Sequence, residues 1–396
     1  MADADVRFGS PAALLFDPAT ATSPHKAYSQ LREQCPVSRS HIADEHVVFI
    51  FDYESVHWAT HHPEVFSSDA DALNIGQEQP LIPLQVDPPL HTSYRRMLNP
   101  EFTPKRVGRL EADIRALVTE LLDKFADTGA CDFHEQFATP LPSTIFLRLM
   151  GWPQSDLPMF MRWRDDIMRP ATTDPAVMTA LREAAGKAIN AYFENAIATA
   201  RTNPTDGLLS ELVAQEVDGR PLTQTELLGI CHLMLLGGLD TVTATLDCMV
   251  TYLARHPERR QELVDHPERL PAAIEELLRQ QSPVMLVPRI VKEPVTLRGV
   301  DLLPGDHVML VLGAANGDPA EFENPDEVDF AREPNYHLAF SAGHHFCIGA
   351  HLARLELRVA LEELHRRIPD YRIADDVDVS FSFGIRQAPA LPLVWG

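Results

Sequence analysis

The chain has 396 residues, is 45% hydrophobic and carries a formal net charge of −23. That apolar content suffices for a large core, while the acidic balance argues against nucleic acid or an anionic membrane as partner, leaving room only for a local basic patch. Five scattered cysteines fit a reducing compartment, and the N-terminal Met1-Ala2-Asp3-Ala4-Asp5 has no leader-like character, so a cytoplasmic protein without a membrane anchor is expected.

No linker, repeat or low-complexity tract divides the chain, so residues 1–396 are expected to form one domain, mainly α with small β-sheets, its strands concentrated in about 1–70. Residues 24–36 read as a short helix, 46–51 as a strand and 53–62 as a second helix. The stretch 67–86 is irregular, with Leu73, Ile75, Leu81 and Leu84 among polar residues; loops of that length tend to be functional or mobile. After Asp87-Pro88-Pro89 an arginine-rich helix starts near His91. His91 and Arg95 are four apart and share a face, which taken alone is a solvated basic face. Helical periodicity continues over 109–126, 142–151, 155–169 and 176–201. Arg162, Arg164 and Arg169 precede a Pro-containing loop, either as an ordinary amphipathic helix or as a lid offering an arginine to a substrate carboxylate.

Residues 223–254 are the longest apolar stretch, and His232, Asp240 and Asp247 interrupt it, which predicts a buried core helix rather than a membrane span. Gly237-Gly238 in its middle costs about 1 kcal/mol per glycine against alanine and so needs a compensating reason, such as close approach to the backbone. Thr241 can bond back along the helix and loosen the ladder. Glu276 and Arg279 lie three apart, a spacing that is usually a weak surface pair. Strand-like segments follow over 289–300 and 306–312.

The stretch Phe340-Ser341-Ala342-Gly343-His344-His345-Phe346-Cys347-Ile348-Gly349 runs into Ala350-His351-Leu352-Ala353-Arg354, the start of a long helix. A cysteine at a helix N-terminus is favoured as thiolate, and a thiolate can be the single axial ligand of a haem iron. Gly343 suits a turn with positive φ, and Gly349 lets the backbone approach a flat porphyrin. Phe340 can cover the sulfur, and His345 can hydrogen-bond a haem propionate. Plainer readings are a buried free cysteine, or a zinc site from His344, His345 and Cys347, which lacks any Cys-x-x-Cys partner.

Taken whole, Phe-x-x-Gly-x-His-x-Cys-x-Gly followed by Ala-His-Leu-Ala-Arg resembles the haem-binding loop of the cytochrome P450 family. Asp87-Pro88-Pro89-Leu90-His91-Thr92-Ser93-Tyr94-Arg95-Arg96, Gly237-Gly238-Leu239-Asp240-Thr241 and Glu276-Leu277-Leu278-Arg279 match further family signatures in the family's order. The resemblance implies a helix-rich fold holding haem b between the long central helix and the cysteine-loop helix, with Cys347 on the iron. His91, Arg95 and Arg289 would contact the propionates. Gly237 and Gly238 would make room for O2, and Asp240 and Thr241 would pass protons to it. Arg332 would join Glu276 and Arg279. Val284, Leu286, Phe383 and Ile385 would line the substrate pocket, with Leu233, Met234 and the apolar residues of 67–86.

The implied activity inserts one oxygen atom of O2 into a C–H or C=C bond of a lipophilic molecule such as a terpenoid, fatty acid or steroid. No Gly-x-Gly-x-x-Gly unit is fused, so electrons from NAD(P)H are expected through a separate ferredoxin reductase and ferredoxin. Arg95, Arg96, Arg106, Arg354, Arg358 and Arg366 are expected to give the cysteine side a positive docking face, on a monomer. A peroxide-driven enzyme and a non-enzymatic haem-thiolate sensor or carrier are the alternatives. Three departures stand out. Gly317 replaces the family's usual Arg, so a polar contact is expected to be missing; Ser341 and Ala342 stand where glycines are frequent; His344 adds a titrating group beside the cysteine.

Overall fold

The computed structural model describes residues 11–42, 45–72, 79–168, 172 and 174–396. They gather into two compact units: Met1–Ser67, Phe102–Leu141 and Asp240–Gly396 in the first, Ser68–Glu101 and Pro142–Leu239 in the second.

In the first unit a five-stranded sheet has the order Val37–Ile42, Glu45–Ile50, His307–Leu310, Val287–Val291, Phe66–Ser67. Only the pairing of Glu45–Ile50 with His307–Leu310 is parallel. The sheet's apolar core includes Val48, Ile50, Phe66, Val291, Val308 and Leu310. Val37–Ile42 is a strand that apolar alternation does not announce, because the residues it buries include Ser38 and Ser40. The Tyr53–His61 helix starts where Asp52 accepts the Ser55 amide at 3.0 Å, an N-cap that satisfies an otherwise orphaned donor. Helices Glu111–Asp123, Thr241–Arg255, Pro257–Asp265, Leu270–Gln281 and Ala350–Arg367 belong to this unit, with a three-stranded sheet of Arg372–Ile373, Pro392–Val394 and Ala130–Asp132.

The second unit is helical: Leu90–Leu98, Leu157–Met168, Pro175–Thr202, Leu208–Leu212 and Gln224–Leu239, with most of Pro140–Met150. Its core is a run of aromatic rings, Phe146, Trp152, Phe160, Trp163, Tyr192 and Phe193, each within 6.5 Å of another by centroid. Gly151 and Gly207 meet backbone to backbone, closer than any Cβ would permit. The apolar stretch Gln224–Arg255 is long enough to cross a membrane by composition, yet most of it is buried, as in a core helix.

Candidate functional site around the cysteine loop

The cysteine loop is fixed by its own backbone. Ser341 and Gly343 take positive φ, +58° and +62°, which turns the chain sharply before a short 3-10 turn at Gly343–His345. A side chain at Gly343 would collide with the Thr60 carbonyl, so glycine is required there for space as well as for φ. The Cys347 amide donates to the Phe340 carbonyl at 2.9 Å, closing the loop, and the Ala350 amide donates to the Cys347 carbonyl at 3.3 Å as the Ala350–Arg367 helix begins. Asn316 braces the loop's entry, its Oδ1 accepting the Leu338 amide at 2.6 Å.

Of the five cysteines only Cys347 is exposed. Burial pushes the thiols of Cys131, Cys231 and Cys248 up to about 12, which keeps them protonated and inert. Among the described residues no group of three His, Cys, Asp or Glu side chains could hold a metal ion. His344 is exposed and His345 half-buried.

Glu276, Arg279 and Arg332 come together in the first unit, and the pair is deeply buried rather than superficial. The Glu276 carboxylate accepts from Arg279 at 2.8 and 2.8 Å and from Arg332 Nε at 3.1 and 3.0 Å. Arg279 also donates to the carbonyls of Asn316, Pro325 and Glu327, which pins the segment leading to the loop. Next door, Glu275 faces a different way. It takes both Arg354 Nε and Nη2, at 2.7 and 2.6 Å, and meets His337 Nε2 at 3.1 Å. Burial works against its charge, but Arg354 and His337 hold its carboxyl down to about 2. The sequence offers no signal for this cluster, since its members lie 62 and 79 positions apart.

Val284 bridges to Ile385, the Met285 amide donates to the Gly384 carbonyl at 2.9 Å, and the Phe383 ring packs 4.8 Å from Phe16. Val284, Leu286 and Ile385 are half-buried and Phe383 is exposed, so this pair of segments presents apolar surface. Arg289 is buried on the Val287–Val291 strand, its Nη1 donating to the Pro288 carbonyl at 2.7 Å. Asp240 is buried at the break between the Gln224–Leu239 and Thr241–Arg255 helices, where Thr245 Oγ1 bonds the Thr241 carbonyl at 2.7 Å, and Thr241 is half-buried.

In the second unit His91 is buried and Arg95 half-buried on Leu90–Leu98. The helix is tethered by Tyr94, whose hydroxyl donates to Glu226 at 2.5 Å. Arg220 bonds both Glu226 oxygens and holds that carboxyl far below the usual carboxylate range. On Gln224–Leu239, Leu233, Gly237 and Gly238 lie on the least buried stretch; a Cβ on Gly237 would meet open space, while one on Gly238 would press on Phe146 at 3.0 Å. Leu81 and Met234 are buried among protein atoms, and Leu84 is exposed. Leu73, Ile75 and Arg169 lie outside the described residues. Arg164 is spent on Asp165 at 2.6 Å.

The charges expected for a positive docking face are largely neutralised. Arg354 is paired with Glu275, Arg358 with Glu111 and Glu362, and Arg366 with Glu363, each acid standing on the same helix or on a neighbouring one. Arg96 remains exposed.

These features suit a haem. An exposed sulfur sits on a loop braced by its own backbone, and a Cβ added at Gly349 would lie 4.0 Å from it, in ordinary contact. Arg289, buried in the same unit, is a cation of the kind that pairs with carboxylates.

A family model described as cytochrome P450 matches residues 13–367, and so spans both units. A steroid C26-monooxygenase of Mycobacterium tuberculosis is 36% identical over 374 residues, 92% of each chain. Mycinamicin IV hydroxylase/epoxidase of Micromonospora griseorubida is 38% identical over 318 residues, 79% of each chain. Among solved structures, a myxobacterial cytochrome P450 in complex with myristic acid has a TM-score of 0.89 at 28% identity, covering 97% of this chain and 99% of that one.

Proposed function

The chain belongs to the cytochrome P450 family, and from that membership we propose that this monooxygenase hydroxylates or epoxidises a lipophilic small molecule, with Cys347 as the thiolate ligand of its haem. When bound, the haem supplies O2 activation at its iron. The observation that carries the assignment of the ligand is that Cys347 alone of the five cysteines is exposed, on a loop locked by glycine geometry at the start of a long helix. The helix N-terminus favours its anionic form.

The other residues take the following parts. By what family membership implies, His91, Arg95, Arg289 and His345 would hold the haem carboxylates through charge-assisted hydrogen bonds. Phe340 shields the sulfur. Asp240, buried at a break in the central helix, and the adjacent Thr241 would hold and move the protons that the reaction consumes. Asp240 and Thr241 support an O2-driven rather than a peroxide-driven reaction, since peroxide already carries the protons such a relay would supply. A haem sensor or carrier would need neither.

The half-buried apolar surface of Val284, Leu286 and Ile385 favours a lipophilic substrate held by shape. Relatives named for a steroid and for mycinamicin IV, and one solved with myristic acid, support that class without selecting within it. Electrons come from NAD(P)H through a ferredoxin reductase and ferredoxin. The exposed Arg96 is the contact to test, and Arg96→Glu is expected to slow reduction several-fold at low salt, with the difference shrinking as salt rises.

The deciding measurement is the ferric absorption spectrum of purified protein, titrated with steroids, fatty acids and neutral macrolides. A haem band in the wild type that disappears in Cys347→Ala supports the ligand assignment, and a band that persists unchanged overturns it. A shift to high spin with one class alone identifies the substrate family. A shift with carboxylates only would bring forward the exposed Arg162 as their anchor.

A further inference from the structure

We propose that Glu275 is a positioning residue that clasps both flanks of the cysteine loop and so sets how the Cys347 sulfur is presented. The inference rests on the reading of Cys347 as the site's centre and adds to it a residue from another helix.

The loop leaves a fixed point at His337 and returns to the Ala350–Arg367 helix, where Arg354 lies in the second turn. Glu275, from Leu270–Gln281, is bonded to both. Arg354 gives it two parallel N–H donors at 2.7 and 2.6 Å, the fork geometry that fixes direction as well as distance. His337 Nδ1 accepts the Ala339 amide at 3.2 Å, so its proton is on Nε2, which donates to Glu275 at 3.1 Å. One carboxylate therefore ties the residue ten positions before the cysteine to the residue seven positions after it.

The clasp reaches the sulfur through Phe340. The Arg354 guanidinium lies over the Phe340 ring at 4.5 Å, and His337 approaches the same ring at 6.1 Å. Phe340 is thus held by the two side chains that Glu275 orients. Its carbonyl in turn accepts the Cys347 amide at 2.9 Å. The chain of contacts from Glu275 to the cysteine backbone has no gap.

An ordinary surface ion pair would predict something else. Glu275 and Arg354 are 29% and 32% exposed, and pairs of that exposure contribute little to stability. What distinguishes this one is the double fork, the shared histidine and the stacked ring, which confer geometry rather than binding energy. Glu363, farther along the Arg354 helix, is bonded by Arg366 of that helix and by Arg115 of Glu111–Asp123 and serves as the control.

The test uses Glu275→Gln, which keeps the size but replaces one acceptor by a donor facing the guanidinium, together with Glu275→Asp and the control Glu363→Gln. In haem-free protein, alkylation of Cys347 by iodoacetamide, located by peptide mass spectrometry, is expected to change at least threefold in Glu275→Gln and to return towards wild type in Glu275→Asp. In haem-loaded protein, the ferric–ferrous ratio at a fixed poise is expected to shift at least threefold towards ferrous, because a negative charge near the site is lost. Glu363→Gln should move neither. Should Glu275→Gln fold poorly, Arg354→Lys keeps the charge but loses the fork and is expected to change the alkylation rate in the same way. Wild-type alkylation and wild-type ratio in a folded Glu275→Gln, with only the melting temperature lowered, would overturn the proposal. A wild type that binds no haem would overturn the haem assignment instead, while the alkylation rates still decide on the clasp.

Discussion

Ser341 holds φ at +58° without being a glycine, and its hydroxyl is buried with no hydrogen-bond partner. Left-handed backbone costs a non-glycine residue roughly 1–2 kcal/mol, and an unsatisfied buried hydroxyl adds to that. Ser341→Gly is therefore expected to stabilise the protein by about 1 kcal/mol after the entropic cost of glycine, read as a higher denaturant midpoint. A lower midpoint would mean that the hydroxyl has a bonding role. Gly317 is a departure of another kind. The contact expected to be missing is supplied from elsewhere: Arg32 lies 3.7 Å from Asp318, donates to the Ala314 carbonyl at 2.8 Å, and would sit 3.8 Å from a Cβ on residue 317. Arg32→Ala is expected to cost about 2 kcal/mol or more, since it leaves the buried Asp318 charge with only the Tyr53 and Ala320 amides, and Gly317→Arg should not stabilise the wild type because it crowds a second guanidinium against the first.

At the scale of elements, the Leu90–Leu98 helix carries His91 and Arg95 but is placed by Tyr94 and Glu226, a pair 132 positions apart. Tyr94→Phe removes a hydrogen bond to an ionised carboxylate and is expected to cost roughly 1.5–3 kcal/mol. It should also weaken haem retention, measured as the rate of haem transfer to an acceptor protein; an unchanged rate would detach Tyr94 from the site. Local signals made the helices legible, because apolar periodicity and proline or acidic starts recur along the chain. They also exposed the cysteine loop, whose glycine, histidine and cysteine spacing is contiguous. The strand Val37–Ile42 stayed hidden because it buries serines, and short pairs such as Pro392–Val394 with Ala130–Asp132 are defined only by their partners. The same limit hid Glu275. Its neighbour Glu276 announces itself through Arg279 three residues on, whereas Glu275 acquires its meaning from residues that only folding brings close.

Across the whole molecule, titration of a few buried groups should shape stability more than the net charge does. Burial lowers His25, His232 and His365 to about 4, with Arg386 assisting at His25 and Arg260 at His365. Each histidine is neutral when folded but takes a proton on unfolding below about pH 6.5, so its contribution is complete above that pH and is lost as the pH falls towards 4. Glu356 acts in the opposite sense. Burial raises it to about 8, so the folded state keeps a proton that the unfolded chain releases above about pH 4.5, and stability is lost as the pH rises towards 8. Between about pH 4.5 and 6.5, unfolding takes up three protons and releases one, a net gain of two. At about 1.4 kcal/mol per proton per pH unit, stability should fall by roughly 2.8 kcal/mol for each unit of acidification in that window. Above it, only the weaker alkaline decline from Glu356 remains, which places the optimum near pH 6.5. Urea midpoints taken from pH 4.5 to 8 check the profile. Glu356→Gln should remove the alkaline decline and steepen the acid one, and a flat profile below pH 6.5 would show that the histidines are hydrated rather than buried.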